Sequence, residues 1–312
     1  MTSAVPREAG RGRWRRVDGV LPLDKPAGLS SNAALQRARR LYRAEKAGHT
    51  GTLDPLASGL LPVCFGEATK FAQLLLDSDK AYAATVRLGR TTTTGDAEGD
   101  PVEERPVRVS RDELEAMLPR FVGAIAQVPP RHAALKYRGR SYYRYAREGV
   151  EIPRAAREVI VHELTLERWA PPEIDLHVSC GKGTYIRSLA EDLGAALGCG
   201  AHLAALRRTR SGSLAVEAAI SIEVLEADDE PGRDAWLLPV DTLLAGLPRL
   251  DLDPEQGRRL RCGQSLLLRE LADGDYRAFA GGGFEGLVRC RAGVLQPRRL
   301  VASGDTHAAR RG

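Results

Sequence analysis

The stretch that decides the organisation of this chain is HTGTLDPLASGLLP, residues 49–62. Asp54 is its only acidic residue, with Gly51 and Gly59 on either side and Pro55 directly after it. Glycine permits positive φ and proline fixes φ, so such a loop can hold one carboxylate rigidly and let another molecule approach closely. The same residue types are common in ordinary turns, so the spacing alone also allows a simple tight turn.

Six short motifs, one of them within this stretch, follow one another along the chain: GVLPLDKP (19–26), GHTGTLDP (48–55), GEATK (66–70), DKAY (79–82), KGTYIRS (182–188) and LRR (206–208). In this order and at this spacing they closely resemble the bacterial tRNA pseudouridine-55 synthases, the TruB family, which isomerise one uridine in the T loop. The resemblance extends from about Gly19 to Leu225 and continues more loosely to the C-terminus.

The composition is that of an ordinary globular protein with a mildly basic charge. The 312 residues are 43% hydrophobic and 28% charged, with a net charge of +5, which favours a polyanionic partner. No apolar run approaches the roughly 20 residues of a membrane span. The five cysteines form no C-x-x-C pair, so we expect neither a structural zinc site nor disulfides but reduced thiols in a cytoplasmic protein.

The expected fold class is α+β, with a mixed, largely antiparallel sheet flanked by helices, which is the pseudouridine synthase fold that the resemblance implies. Short strands interrupted by glycines after residue 264 predict a small β-barrel, which resembles a PUA domain. The predicted divisions are a disordered basic arm (1–17), a catalytic domain (18–226), a linker (227–247), a PUA-like RNA-binding domain (248–303) and a tail (304–312).

Residues 129–158 combine many basic side chains with four tyrosines. This mixture suits phosphate contact together with base stacking, although a solvated helix could have a similar composition. In the family this region is an insertion that grips the T arm of tRNA, and Lys136 and Arg138 are our candidates for RNA contact within it.

The resemblance also implies roles for the residues of the active site. Asp54 would be the nucleophile, Arg187 would pair with it, and Tyr82 would stack on the target base with its hydroxyl placed for proton transfer. Further residues would shape the pocket or bind the substrate: Leu206 on the other side of the ring, His49 in the space that the flipped base vacates, Lys25 and Pro26 in the pocket wall, and Tyr185.

Plainer interpretations of the same residues remain open at this point. Tyr82 begins an alternating strand and could be a core tyrosine. Arg187 could form an exposed pair with Glu191 one helical turn later, although a cation in the first turn opposes the helix dipole. Lys70 suits a phosphate contact or a surface position. The segment GKGT (181–184) looks like a phosphate loop but lacks the Walker spacing, which argues against a nucleotide triphosphatase.

The function implied by the resemblance is isomerisation of uridine 55 of tRNA after base flipping. The reaction imports no group and has no redox step, so we expect no cofactor and no metal. We expect a monomer that binds the T arm, with no membrane contact and no obligate protein partner. The alternatives are a guide-dependent pseudouridine synthase of an RNA–protein particle and an RNA-folding chaperone that acts by tRNA binding.

Overall fold

The computed structural model describes residues 13–133 and 135–302. In chain order the strands are β1 (Gly19–Lys25), β2 (Ala47–His49), β3 (Ser58–Phe65), β4 (Lys80–Leu88), β5 (Arg90–Thr92), β6 (Pro101–Glu104), β7 (Gly123–Gln127), β8 (Lys136–Tyr137), β9 (Arg140–Ser141), β10 (Arg157–Ala170), β11 (Glu173–Cys180), β12 (Ala201–Ser211), β13 (Leu214–Ala215), β14 (Ile220–Ser221), β15 (Arg249–Leu252), β16 (Leu266–Leu267), β17 (Gly274–Ala280), β18 (Gly283–Arg291) and β19 (Val294–Leu300).

The α-helices are α1 (Ser31–Leu41), α2 (Ala72–Leu76), α3 (Arg111–Met117), α4 (Tyr142–Arg147), α5 (Ile186–Ala196), α6 (Ile222–Ala227), α7 (Glu230–Ala235) and α8 (Pro254–Arg261). Short 3₁₀ turns cover Gly66–Lys70, Leu118–Phe121, Val216–Ala218 and Val240–Leu244. No helix among the described residues is long and apolar enough to cross a membrane.

The larger sheet has the strand order β14-β1-β3-β12-β4-β11-β10-β7, with β2 added to β3 and β13 to β12. Its pairings are antiparallel except for β1 with β14 and β12 with β3. This arrangement confirms the predicted mixed, largely antiparallel sheet. The predicted alternation in β4 is also found, since Ala84, Val86 and Leu88 are each about 1% exposed and face the core.

Two hydrophobic clusters lie under different parts of this sheet. One packs β4, β10 and β11 against α3 and α5, and the other packs β1 and β3 against α1 and α6. Tyr82 and Leu206 contact both clusters, from the neighbouring strands β4 and β12. These two side chains therefore mark the centre of the sheet, where its two halves meet.

The C-terminal sheet has the order β15-β17-β18-β19-β16 and confirms the predicted PUA-like domain as an open, curled half-barrel. It packs on the N-terminal part of the chain through Phe284, whose ring centroid lies 5.7 Å from that of Phe71 and 5.5 Å from that of Phe279. Lys70 lies at this junction, where its Nζ donates to the carbonyl of Leu300 at 3.1 Å and to Glu67 at 2.6 Å. Lys70 is thus part of the contact between the two sheets.

Part of the predicted basic arm is an ordered part of the fold. Val17 is 6% exposed, and Arg15 bonds the carbonyl of Tyr42 at 3.0 Å and the carboxylate of Asp234. The prediction of disorder is therefore wrong for residues 13–17, because Arg15 has a carboxylate and a helix end to bind. The rest of the arm, residues 1–12, and the predicted tail after residue 302 lie outside the described residues.

The predicted linker is also a packed segment rather than a flexible one. It contains α7 and a 3₁₀ turn, and Leu243 and Leu244 are buried between the two sheets. Its acidic residues pair with basic residues near α1: Asp234 and Glu230 contact Arg15, and Glu230 also contacts Arg43. Charge composition alone could not show these partners.

The packing of Phe284 predicts a measurable contribution to stability. Phe284→Ala should lower the free energy of unfolding by about 3–5 kcal/mol, because it removes the ring that joins the two sheets. Leu267→Ala, on the same sheet but 61% exposed, is the matched control and should change it by no more than about 0.5 kcal/mol. Denaturant unfolding of the full chain measures both variants, and equal losses would contradict this packing.

Candidate active site

The loop that carries Asp54 connects β2 to β3 and is anchored on the start of α1. The Ser31 hydroxyl donates to the Leu53 carbonyl at 2.9 Å and accepts from the Leu53 amide at 2.7 Å. The amide of Gly28 donates to the carbonyl of Pro55 at 2.7 Å. Leu53 is itself 3% exposed, so the backbone on both sides of the carboxylate is fixed. Ser30 caps the start of α1, and Ser31 holds the loop.

Asp54 and Arg187 form an ion pair, with 3.0 Å between Oδ2 of Asp54 and Nη2 of Arg187. The Arg187 side chain is 4% exposed, whereas that of Asp54 is 38% exposed, so the carboxylate faces an open cleft and its partner lies beneath it. Arg187 stands in the first turn of α5, as predicted. Within the described residues its carboxylate partners are Asp54 and Asp96, so the alternative pairing with Glu191 does not form.

Asp96 is the site residue that the sequence analysis missed. Its side chain is 3% exposed, and its Oδ2 lies 3.3 Å from Nη1 of Arg187. The Thr94 hydroxyl donates to its Oδ1 at 2.5 Å, and the Glu98 amide donates to the same atom at 3.1 Å. The sequence around it is rich in Thr, Gly and acidic residues and predicted only a polar loop. The remaining signal was Arg187, a cation in a first helical turn that needs anionic partners.

Burial sets the electrostatics of this cluster. Removal from water raises the pKa of the Asp54 carboxyl; the Arg187 guanidinium lowers that pKa, while the charge of Asp96 raises it. Burial and the two aspartates also raise the pKa of Glu98. One guanidinium is thus shared between two carboxylates, and the ionised form of Asp54 depends on it.

Tyr82 and Leu206 lie side by side above the sheet. Tyr82 pairs with Arg208 across β4 and β12, and Leu206 pairs with Ala84 on the same two strands. Residues directly opposite each other on paired strands share a face, so Tyr82, Leu206 and Arg208 face the same way. Burial raises the pKa of the Tyr82 hydroxyl, and the neighbouring Arg208 guanidinium lowers it.

Lys25 and Pro26 form the wall next to the Asp54 loop. Lys25 is fully buried, and its Nζ donates to the carbonyls of Pro26 at 2.8 Å and Leu29 at 2.6 Å. Burial lowers the pKa of Lys25 to about 8, although the charge of Asp54 acts in the opposite direction. The structure therefore places a buried ammonium group within the field of the Asp54 carboxylate.

His49 ends β2 at the start of the loop. Its Nδ1 is buried and has no hydrogen-bond partner within the described part of the chain. Burial, and secondarily the charge of Arg208, lowers the pKa of the His49 imidazole. The imidazole as a whole is only half-buried, so part of the ring is accessible to a bound substrate.

Tyr185 connects this cleft to the base of the 129–158 insertion. Its amide and carbonyl bond the side chain of Gln127 at 2.7 and 3.0 Å, and the Arg157 guanidinium lies 5.1 Å from its ring centroid. Arg187 also donates to the carbonyl of His132 at 3.1 Å. Lys136 and Arg138 stand apart from this group, on and beside the β8–β9 hairpin of the insertion.

The buried Lys25 predicts a pH dependence of stability. Its pKa is about 8 in the folded chain and about 10.4 in an unfolded one, so between these values the unfolded chain binds more protons. The contribution of Lys25 to the free energy of unfolding should therefore rise with pH over this window, by ~1–3 kcal/mol. The difference between wild type and Lys25→Met in denaturant unfolding at pH 8 and pH 10 isolates this contribution. The free energy of unfolding of the wild type minus that of Lys25→Met should increase from pH 8 to pH 10. A value that stays constant or decreases would contradict the prediction.

Comparison with known proteins gives one consistent result. Residues 39–186 match the family described as TruB family pseudouridylate synthase (N terminal domain), 187–245 match the tRNA pseudouridylate synthase B C-terminal domain, and 248–301 match Pseudouridine synthase II TruB, C-terminal. A tRNA pseudouridine synthase B of Azoarcus sp. is 53% identical over 289 residues, covering 93% of this chain and 96% of the relative. The Burkholderia mallei protein of the same name is 53% identical over 97% of this chain and 100% of its own.

Solved structures agree with these matches. The crystal structure of the archaeal box H/ACA sRNP Nop10-Cbf5 complex has a TM-score of 0.68 at 25% identity, covering 90% of this chain and 85% of its own. A Cbf5-Nop10-Gar1 complex has a TM-score of 0.67 at 28% identity, with coverages of 87% and 78%. The relatives are 53% identical to this chain over almost its whole length, and three family models match it. The chain therefore belongs to the TruB family of pseudouridylate synthases, which are isomerases.

Proposed function

We propose that this chain converts uridine 55, in the T loop of tRNA, to pseudouridine, with Asp54 as the reacting carboxylate. The observation that carries the proposal is the ion pair between Asp54 and Arg187, at 3.0 Å, in which only the carboxylate is open to the cleft. The 53% identical relatives are named tRNA pseudouridine synthase B, which supports tRNA as the substrate.

The chemistry requires one nucleophile and a proton transfer. The N1–C1′ bond of the uridine breaks, the uracil turns in place, and its C5 bonds to the same C1′ while the C5 proton leaves and N1 gains a proton. Atoms and electrons balance without a cofactor. Asp54 could attack C1′, attack the uracil ring, or assist elimination to a sugar alkene, and each route needs the ionised carboxylate that Arg187 favours.

The residues around Asp54 would bind the flipped base. The target has to leave its stack, at a cost of a few kcal/mol that stacking in the pocket can offset. Tyr82 and Leu206 share one face of the sheet and would contact the base, with the Tyr82 hydroxyl available for the C5 proton. His49, whose imidazole is half-buried, would fill the place that the base leaves in the RNA.

The insertion supplies groups suited to gripping the RNA backbone. Arginine guanidinium groups lie over tyrosine rings in three places, at 4.6–5.3 Å: Arg138 on Tyr137, Arg140 on Tyr145, and Arg147 on Tyr143. Arg140 is also paired with Glu148, whereas Arg138 and Arg144 have no carboxylate partner within the described residues. These two arginines, together with Lys136, are the strongest candidates for phosphate contacts.

A guide-dependent enzyme is the second candidate, because two similar solved structures are of H/ACA RNA–protein complexes. The exposed arginine–tyrosine surface favours stand-alone binding, since an enzyme that acts without a guide has to hold tRNA by itself. An RNA-folding chaperone would need this surface but not the Asp54–Arg187 pair.

The test is activity of the purified chain on an isolated T-arm hairpin. We expect stoichiometric release of tritium from C5-labelled uridine 55, and no release from a hairpin labelled only at other uridines. Release should persist in excess chelator, because a T-arm hairpin needs little divalent metal to fold. Activity only with an added guide RNA, or none without a divalent metal, would contradict the proposal.

The insertion gives a second prediction, on the salt dependence of binding. Arg138→Ala combined with Arg144→Ala should weaken T-arm binding and reduce the slope of log K against log salt by about 0.7–0.9 for each lost phosphate contact. Arg111→Ala is the matched control, since Arg111 lies on α3 and is paired with Glu115. Filter binding over a salt series measures the slopes, and an unchanged slope would assign both arginines to solvation.

A further inference from the structure

Arg208 is a buried cation on the central strand β12. It follows Leu206 and Arg207 in the LRR motif, and its side chain is 1% exposed. Its neighbour Arg207 is only half-buried and pairs with Asp24 at 2.7 Å. Arg208 has no carboxylate within ion-pair distance in the described ranges. Burying a charge without a partner is costly, so the hydrogen bonds of the Arg208 guanidinium have to offset that cost.

Two of these bonds connect strand β3 to the loop that carries Asp54. Nε of Arg208 donates to the carbonyl of Leu60 at 2.7 Å, and Nη2 donates to the carbonyl of Gly51 at 3.1 Å. A Cβ added to Gly51 would lie 3.3 Å from Nη1, so the guanidinium packs directly on the loop backbone. Gly51 stands three residues before Asp54, at the end of the loop that Ser31 does not reach.

The same guanidinium lies beside Tyr82. Arg208 and Tyr82 are directly opposite each other on β12 and β4, which places both side chains on one face of the sheet. The charge of the guanidinium lowers the pKa of the Tyr82 phenol, against the raising effect of burial. One rigid group therefore bonds the backbone of the Asp54 loop and shares a face of the sheet with Tyr82.

We propose that Arg208 is a positioning residue of this active site, which sets the Gly51 end of the Asp54 loop and orients the hydroxyl of Tyr82. The proposal rests on the proposed roles of Asp54 and Tyr82. Arginine suits the task because its planar guanidinium has five donors in a fixed arrangement, whereas lysine offers a single ammonium group.

The first test measures reaction rate and RNA affinity separately. Arg208→Gln should slow single-turnover tritium release from the T-arm hairpin by about 100-fold, because small displacements of reacting groups cost this much. Filter binding should show little change in Kd, since Arg208 is buried. Arg210→Gln is the matched control on the same strand, where the side chain is exposed, and should stay within about twofold of wild type.

Arg208→Lys separates the two contacts and guards against a folding defect. The ammonium group keeps the charge near Tyr82 but does not reproduce the fixed pair of donors to the carbonyls of Leu60 and Gly51. We expect a rate between those of wild type and Arg208→Gln, with thermal melts showing which variants are folded at the assay temperature. If the glutamine variant is unfolded there, the lysine variant alone decides, and a wild-type rate for it would overturn the proposal.

The second test needs no RNA and responds only to the contact with Tyr82. A polyfluorinated tyrosine introduced at position 82 has a much lower intrinsic phenol pKa than tyrosine, which offsets the raising effect of burial, and its ¹⁹F resonance reports the pKa of that phenol. The other groups that act on it are Cys180 from β11 and Asp54 from the loop, and neither is altered. Loss of the Arg208 charge should raise this pKa by about one unit or more, while Arg208→Lys and Arg210→Gln should leave it nearly unchanged.

The experiments distinguish a failure of the role proposed for Arg208 from a failure of the proposed function of the chain. A wild-type chain that is inactive on the hairpin would count against the function, and the fluorotyrosine titration would still decide the contact. An active wild type with an equally active, folded Arg208→Gln variant would overturn the positioning role. A titration of residue 82 that does not respond to Arg208→Gln would overturn the contact with Tyr82.

Discussion

The ion pair between Asp54 and Arg187 is the interaction on which the arrangement of this site depends. Arg187 is almost fully buried and shared with Asp96, while Asp54 remains open to the cleft. Burial by itself raises the pKa of the Asp54 carboxyl, so the guanidinium beneath it is what favours the charged form. An open carboxylate over a buried cation is also what a reaction with one nucleophile and no cofactor requires.

The rest of the fold brings this pair together from distant parts of the chain. Ser31 and Arg208 hold opposite ends of the Asp54 loop, one from α1 and the other from the central strand β12. Arg187 reaches the same place from α5, and its bond to the carbonyl of His132 joins the pair to the base of the 129–158 insertion. The cleft therefore lies where the two halves of the sheet, the Asp54 loop and the insertion meet.

Local sequence patterns predicted much of this arrangement. They could not predict contacts between residues that are distant in sequence. The alternation in β4 and the short strands of the C-terminal sheet follow from short-range patterns and are found in the structure. The pairing of Arg187 with Asp54 followed from the family resemblance. Asp96 and Arg208 were missed because a polar loop and a basic strand end reveal nothing about burial. The ordered segments around Arg15 and α7 were missed for the same reason, since their charges are satisfied by residues far away in sequence.

The most direct measurement of the central claim compares Asp54→Asn with wild type, by tritium release from C5-labelled T-arm RNA alongside filter binding. The amide is nearly isosteric with the carboxylate but far less nucleophilic, so turnover should fall by many orders of magnitude. RNA affinity should be retained, because phosphate contacts dominate it and the loss of a negative charge does not weaken binding to a polyanion. Binding without any pseudouridine formation is the predicted result. Appreciable turnover by Asp54→Asn would contradict the role given to Asp54 and the account built on it.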